Sequence, residues 1–312
     1  MQTLYIDRKD TQIELDRERI LVSSPHLARP MSIALQYLSS IVISSKTALT
    51  SHLLLACASR GIPVIILDPR SCESHAQYIP PSSKIVHRKL KQYDLLDSDE
   101  RRLGYAKALV YAQAKQQQKL LQEWFPVESI NETQKILIDR NVQITHLLGQ
   151  CHSLEQLRGI EGALAKNVFA AMVHVAPAWC QFRGRNRRPP LDPVNVLLSL
   201  SYSLVYAECT RALQAHAIDP MLGFYHEPVH GRYSLACDLT ERVRVEVEKW
   251  VISMLEEGIF LPQHFSRSEK FPCTLNKEGR AVYYPEWERK FQALKKYIRL
   301  VAQAWARQID QT

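Results

Sequence analysis

The chain has 312 residues, 46% of them hydrophobic, and a formal net charge of +8 at pH 7. This length accommodates one large or two ordinary domains, and the hydrophobic fraction excludes a wholly disordered chain. The positive charge makes a polyanion such as nucleic acid the first candidate partner, although an ordinary basic enzyme has the same charge balance.

The seven cysteines are scattered, and no two of them form a Cys-x-x-Cys pair. This pattern argues against a zinc site and against a disulfide framework, and it favours a reducing compartment, so we expect a cytoplasmic protein. The chain opens on strand-like residues rather than a signal peptide, and its apolar runs are shorter than the ~18 residues that cross a membrane. We therefore expect no membrane partner.

The N-terminal part is predicted to be rich in β-structure. Short strand-like segments occupy residues 3–6, 12–15, 20–22 and 41–43, and a buried strand is predicted at 62–67. A helix capped by Thr50 is predicted between them, over residues 50–58. Residues 69–94 are polar and rich in turn-forming residues, which favours a linker or an exposed loop. We thus predict a β-rich domain over residues 1–86 and a linker over residues 87–96.

Residues 97–312 are predicted to form a larger helical domain, so the fold class is α+β. Helices are expected over 103–123 and 131–148, after Ser153, after Asp192-Pro193, over 242–257 and over 287–309. Short connecting or hairpin pieces are expected at 264–265, 273–275 and 282–284.

Glu161 is the most informative local anomaly of the sequence. It lies on the apolar stripe of the helix after Ser153, four residues after Leu157 and three before Leu164. A carboxylate that faces a core is costly unless it is paired or bound to a metal. The sequence leaves two readings open, a metal ligand and a buried Glu–Arg pair.

A second candidate ligand group lies near residue 230. His226 precedes an Asp-Leu-Thr-Glu run by twelve residues, and the three-residue spacing of Asp238 and Glu241 places both carboxylates on one face of a helix. Imidazole and carboxylate are suited to Mg²⁺ or Mn²⁺. Such a site needs a further ligand, for which Glu161 is the best candidate.

Four arginines lie within six positions, where a phosphate clamp or a solvated basic loop is expected. Guanidinium groups bind phosphate with two parallel hydrogen bonds, which favours contact with a DNA backbone. The four are Arg183, Arg185, Arg187 and Arg188.

These motifs, in this order, resemble one family along nearly the whole chain: the CRISPR-associated integrase, the universal nuclease of CRISPR adaptation. The resemblance is carried by residues 49–64, Glu161-Gly162, the block 185–202, residues 223–226 and residues 234–241. It implies an N-terminal β-domain, a helical catalytic domain, and a homodimer formed largely through the β-domains. It also implies a small ferredoxin-like CRISPR-associated partner and double-stranded DNA as the substrate.

The resemblance also implies roles for single residues. Glu161, His226 and Glu241 match the metal ligands, and Asp238 beside them is either a ligand or an acid that supports one. Tyr206 matches a tyrosine adjacent to the site, and Lys166 stands where a basic residue often follows the Glu-Gly motif.

This sequence departs from the family at two places. Ser201 stands where many members have Gly. The run after Asp238 reads Leu-Thr-Glu-Arg-Val-Arg, which leaves open whether Asp238 or Glu241 is the primary ligand.

The expected activity is transfer of a phosphodiester. A 3′-hydroxyl of a short captured duplex would attack a phosphate at the start of a CRISPR array, with Mg²⁺ or Mn²⁺ as cofactor. Two alternatives stay open: a DNA-binding scaffold without activity, and a transposase-like recombinase that does not act on a CRISPR array.

Overall fold

A computed structural model describes residues 2–25, 27–67, 75–78, 86–187, 189–267 and 273–311 of the chain. The strands in chain order are β1 (Gln2–Ile6), β2 (Gln12–Asp16), β3 (Arg19–Ser23), β4 (Met31–Ala34), β5 (Leu38–Ile43), β6 (Val64–Leu67), β7 (His75–Tyr78), β8 (Phe265–Ser266) and β9 (Thr274–Leu275). The helices are α1 (Ser51–Ser59), α2 (Val86–Asp97), α3 (Asp99–Trp124), α4 (Glu132–His146), α5 (Leu154–Val175), α6 (Pro193–Ala215), α7 (Ser234–Glu241), α8 (Arg244–Glu256) and α9 (Lys277–Gln311). The predicted α+β class, with strands first and helices after them, is confirmed.

Two sheets form the N-terminal part. One has the order β1-β5-β6-β7, in which β1, β5 and β6 are parallel and β7 is antiparallel; the other is the antiparallel meander β2-β3-β4. Ile13, Ile20 and Leu35 are fully buried between these strands, together with Leu53 of α1. The N-terminal part therefore has an apolar core of its own.

The helical part is built around α6, which is buried along most of its length. Asp192 begins this helix by accepting a hydrogen bond from the backbone N–H of Asn195 (2.9 Å). Helices α7, α8 and α9 pack on α6, and α3 and α5 close the other side of α7 and the loop before it. This packing brings residues 161, 226 and 241 to one place in the fold. None of the helices in the described ranges is long and apolar enough to cross a membrane.

Two predictions about secondary structure were wrong, and two strands were missed. The expected linker at 87–96 is helix α2, because buried Gln92 and Leu95 pack on the body and Arg88 pairs with Asp310 of α9 (2.5 Å). Residues 282–284 are not a hairpin piece but part of α9, which begins at Lys277. Strands β4 and β7 were not predicted. The domain boundaries themselves stay a prediction.

Candidate active site

Asp238 holds the loop that carries His226. This carboxylate is 0% exposed, and it accepts backbone N–H bonds from Phe224 (2.7 Å), Tyr225 (3.0 Å) and His226 (2.9 Å). The same carboxylate binds Nδ1 of the His226 ring at 2.7 Å, which leaves Nε2 for the cleft that His226 lines. Burial lowers the pKa of His226, but the hydrogen bond and the charge of Asp238 outweigh it, so that the pKa lies above its ordinary value.

The turn before His226 depends on close backbone approach. A Cβ placed on Gly223 would lie 2.3 Å from the carbonyl oxygen of His226, so only glycine fits there. From the other side, Arg102 donates to the carbonyl of Phe224 (3.0 Å). Glu227 pairs with Arg102 (2.8 Å) and with Arg158 (2.6 Å). The loop is thereby anchored to α3, α5 and α7 at once.

Three carboxylates from α5, α7 and α8 surround the guanidinium of Arg244, which is 9% exposed. Nη1 of Arg244 lies 3.1 Å from Glu241 and 3.9 Å from Glu161, and its Nε lies 3.1 Å from Glu248. The Tyr202 and Phe169 rings flank the same guanidinium at 5.5 and 5.7 Å from their centroids. One buried cation thus lies among three acids. We call these four charged residues, Arg244, Glu161, Glu241 and Glu248, the Arg244 cluster.

Neutral side chains complete the Arg244 cluster. Gln113 of α3 donates to Oε2 of Glu241 (2.7 Å), and the Tyr202 hydroxyl donates to Oε1 of Glu248 (2.8 Å). Oε2 of Glu248 is buried and has no hydrogen-bond partner among the described residues. Buried carboxylate oxygens normally have a donor, so this atom leaves a bond unmade in the present arrangement.

Burial shifts the pKa of two acids of the Arg244 cluster, Glu161 and Glu248. Burial, followed by the charge of Glu241, raises the pKa of Glu161, while Arg244 opposes that shift. Burial likewise raises the pKa of Glu248, against the charge of Arg244 and the hydrogen bond from Tyr202. Removal of the central cation would therefore make the ionised carboxylates costly.

A cleft of about 560 Å³ opens beside the Arg244 cluster and is lined by Glu241, Arg244, His226 and several cationic or polar side chains. Tyr206 lies in its wall, where its hydroxyl accepts the backbone N–H of Tyr233 (2.8 Å) and burial raises the pKa of the phenol to about 12. The resemblance placed Tyr206 beside the site, and its role stays a prediction.

The predicted arginine cluster divides into different environments. Arg183 and Arg187 are exposed, and Arg187 lines the cleft. Arg185 also lines the cleft but is half-buried, and it donates to the side chains of Asn195 (2.8 Å) and Ser199 (3.1 Å), which fixes the loop to α6. Arg188 lies outside the described residues.

Lys166 is exposed on α5. It is five residues after Glu161, which places it about 140° around the helix from that acid. Lys166 does not belong to the wall of the 560 Å³ cleft as the described residues form it.

The donor types of the predicted metal site fit Mg²⁺ or Mn²⁺, but a side-chain cation stands between them. Within the described ranges, no three His, Cys, Asp or Glu side chains are arranged to hold one metal ion. Nη1 of Arg244 lies between Glu161 and Glu241 instead, which is the Glu–Arg pairing that the sequence left open. A metal bound to both carboxylates would take over the contacts of this nitrogen.

Sequence reasoning missed Arg244, Glu248 and Gln113. A signal existed for the first two, because Glu241, Arg244 and Glu248 follow one another at three- and four-residue spacing. Gln113 lies 128 residues before its partner Glu241, and no local pattern marks it.

Comparison with known proteins decides the family. The model of the family described as CRISPR associated protein Cas1 matches residues 4–289. The chain belongs to the Cas1 family. A protein of Thermodesulfovibrio yellowstonii named CRISPR-associated endonuclease Cas1 1 is 31% identical over 99% of this chain and 97% of its own length. The resemblance drawn from the motifs is thus confirmed, and with it membership of a family of CRISPR-associated endonucleases.

Solved structures share the fold. A casposase bound to an integration product matches with a TM-score of 0.83 and 22% identity over 99% of this chain and 91% of that chain. A Cas6-RT-Cas1–Cas2 complex matches with a TM-score of 0.85 and 22% identity, over 99% of this chain and 35% of that chain.

Proposed function

We propose that this Cas1 family member is a metal-dependent DNA endonuclease and integrase that inserts short DNA duplexes into a CRISPR array. The observation that carries the proposal is the Arg244 cluster beside the anchored His226. Glu241 and His226 line a cleft with a cationic rim there, and Glu161 lies 3.9 Å from Nη1 of Arg244, which lines the same cleft. Family membership supports the endonuclease activity, and the array as target rests on the same membership.

Each residue of the proposed metal site has its own role. Glu161, His226 and Glu241 would hold Mg²⁺ or Mn²⁺, and Asp238 would position His226, because both oxygens of Asp238 already accept bonds from the loop. When bound, the ion would lower the pKa of the attacking hydroxyl and neutralise charge on the phosphate. This assignment makes Glu241 the ligand and Asp238 the positioning acid.

The reaction exchanges one phosphodiester bond for another. The 3′-oxygen of the captured duplex forms a bond to phosphorus and loses its proton, while the bond from phosphorus to the 3′-oxygen of the target strand breaks and that oxygen gains a proton. Water in place of the 3′-hydroxyl gives hydrolysis at the same site. Arg187 and Arg183 would bind backbone phosphates near the cleft, which supplies affinity without reading sequence.

The proposed assembly is a homodimer that acts together with a small ferredoxin-like partner on double-stranded DNA. The fold shared with a Cas6-RT-Cas1–Cas2 complex supports a partner of the Cas2 kind. The N-terminal sheets have their own apolar core and also pack on the helical core through Val42, Ile65 and Leu67, so the faces turned away from the helices are the ones proposed for the dimer contact.

A second candidate is a recombinase that does not need a CRISPR array, which the fold shared with a casposase favours. A strand-transfer assay separates the two functions. A labelled duplex with free 3′-hydroxyls is mixed with supercoiled plasmids with and without a CRISPR repeat, in Mg²⁺ or Mn²⁺, with and without the partner protein.

Transfer that requires the repeat supports the first function, and equal transfer to both plasmids supports the second. Transfer by the wild type that is lost in Glu161→Ala assigns the chemistry to this site. Intact DNA binding without transfer, with the partner present, would contradict both functions and leave a DNA-binding scaffold.

A further inference from the structure

Arg244 occupies the position of a cation among the carboxylates that the proposed function assigns to a metal. Its Nη1 contacts Oε1 of Glu241 at 3.1 Å and Oε2 at 3.2 Å, so a single nitrogen serves both oxygens. The guanidinium is almost fully buried, and Arg keeps its charge at any physiological pH. A divalent ion that binds both Glu161 and Glu241 would compete with this nitrogen, because Nη1 bonds both oxygens of Glu241 and lies 3.9 Å from Glu161.

Glu248 offers the guanidinium a second place to bind. Its Oε1 already accepts bonds from Nε of Arg244 (3.1 Å) and from the Tyr202 hydroxyl (2.8 Å), while its Oε2 is buried without a partner among the described residues. A guanidinium that binds a carboxylate through two parallel N–H bonds forms the strongest geometry available to this pair. The present arrangement uses only one of those two bonds.

We propose that Arg244 is an internal counter-ion that exchanges with the metal, and that Glu248 receives its guanidinium when the metal binds. In the protein without the ion, Arg244 lies between Glu161 and Glu241 as their shared counter-ion. On metal binding the guanidinium turns toward Glu248, so that Nη1 leaves Glu241 and Nη2 bonds Oε2 of Glu248, which completes a two-bond pair with the bond from Nε. This inference rests on the proposed metal site.

The surroundings permit such a movement with little cost. Tyr202 and Phe169 flank the guanidinium within 5.7 Å, so the group stays between aromatic rings while it turns. Gln113 of α3 keeps its bond to Oε2 of Glu241, so that carboxylate remains oriented after Arg244 leaves. Arg244 and Glu248 are thus positioning residues, since they act through the carboxylates.

The exchange predicts opposite effects of two substitutions on metal affinity. Arg244→Gln removes the competing cation and should tighten Mn²⁺ binding about ten-fold or more. Glu248→Gln removes the receiving carboxylate and should weaken Mn²⁺ binding about ten-fold. Arg242→Gln is the matched control, because Arg242 is two residues away and donates instead to the Tyr297 hydroxyl (3.0 Å), and we expect a change below about three-fold.

The test is a titration of the full-length protein with Mn²⁺, in which electron paramagnetic resonance measures the free ion. The double variant, which carries both Arg244→Gln and Glu248→Gln, decides whether Glu248 acts through Arg244. Glu248→Gln should weaken binding much less in the Arg244→Gln background than in the wild type. An equal loss in both backgrounds, or an unchanged affinity in Arg244→Gln, would overturn the exchange and leave the proposed function standing.

A crystal structure of the wild type with and without Mn²⁺ tests the exchange independently of how the variants fold. The proposal expects Nη1 of Arg244 on Glu241 without the ion, and Nη2 of Arg244 within hydrogen-bond distance of Oε2 of Glu248 with it. An ion bound while Nη1 still contacts Glu241 would refute the exchange. Absence of Mn²⁺ binding in the wild type and in every variant would remove the metal site and the exchange together.

Discussion

The histidine side and the carboxylate side of the candidate site are held by different kinds of interaction. On the histidine side, one buried carboxylate, Asp238, binds three successive backbone N–H groups and an imidazole nitrogen. On the other side, Glu161, Glu241 and Glu248 share a single guanidinium, and one carboxylate oxygen has no partner among the described residues. In the first arrangement both carboxylate oxygens accept hydrogen bonds, whereas in the second Oε2 of Glu248 accepts none from the described residues.

This difference shows how one site can combine a rigidly held histidine with carboxylates that exchange one cation for another. Backbone N–H groups cannot move away without unfolding the loop, so His226 has a fixed orientation before any ligand arrives. A side-chain cation can be replaced by another cation at modest cost, so the carboxylates can be held together in the metal-free protein and still be available to a metal. The comparison predicts that substitutions on the histidine side reduce stability strongly, and that substitutions on the carboxylate side reduce function.

Asp238→Ala should cause the largest loss of stability. It leaves three backbone N–H groups without an acceptor, so we expect the free energy of unfolding to fall by about 3–5 kcal/mol. Urea denaturation followed by circular dichroism measures the change. Asp139→Ala on the exposed face of α4 is the matched control, with an expected change below about 0.5 kcal/mol. A loss below 1 kcal/mol for Asp238→Ala would contradict the rigid histidine side.

Gly223→Ala should destabilise the same loop by a smaller amount. The added Cβ would meet the carbonyl oxygen of His226, and we expect a loss of about 2 kcal/mol in the free energy of unfolding. Gly159→Ala, on the exposed face of α5 with open space around it, should instead stabilise the protein by about 0.5–1 kcal/mol. Thermal unfolding of both variants checks the pair, and equal shifts would show that the loop tolerates a side chain.

Substitutions of Arg185 and Arg187 should have different effects, the first on stability and the second on DNA affinity. Arg185→Ala removes bonds to Asn195 and Ser199, which should cost about 1–2 kcal/mol in unfolding free energy. Arg187→Ala should leave stability unchanged, weaken DNA binding for all sequences, and reduce the slope of log affinity against log salt by about one. Fluorescence anisotropy at several salt concentrations measures the slope. An unchanged slope would remove Arg187 from phosphate binding.

Most of the fold could be predicted because local signals and packing agree. Asp192, Ser153 and Thr50 each cap a helix as their sequence context indicates. Prediction failed where tertiary contacts override local preference. The aromatic and β-branched residues 282–284 favour a strand, yet burial of Tyr283 and Trp287 against Trp250 makes them part of α9. Among the described strands, β7 pairs with β6 alone, and its short polar sequence carries no alternating pattern.

The candidate site was predictable as a set of residues but not as an arrangement. Glu161 was found because an acid on an apolar stripe contradicts its surroundings. The contact between Glu161 and Arg244 joins residues 83 positions apart, so its geometry follows from how α5 packs near α8 and not from either helix alone. The bonds of Arg185 to α6 were hidden for the same reason, since four arginines in six positions look equivalent in a sequence.

Single-turnover strand transfer tests the central claim most directly. Wild type and Glu161→Gln are compared in Mg²⁺ or Mn²⁺, with donor duplexes that end in a 3′-hydroxyl or a 3′-deoxy group, and Glu155→Gln on the exposed start of α5 is the control. We predict products only with the 3′-hydroxyl, a rate at least about 10³-fold lower in Glu161→Gln, and an unchanged rate in Glu155→Gln. Equal rates for wild type and Glu161→Gln would contradict the assignment of the chemistry to this site.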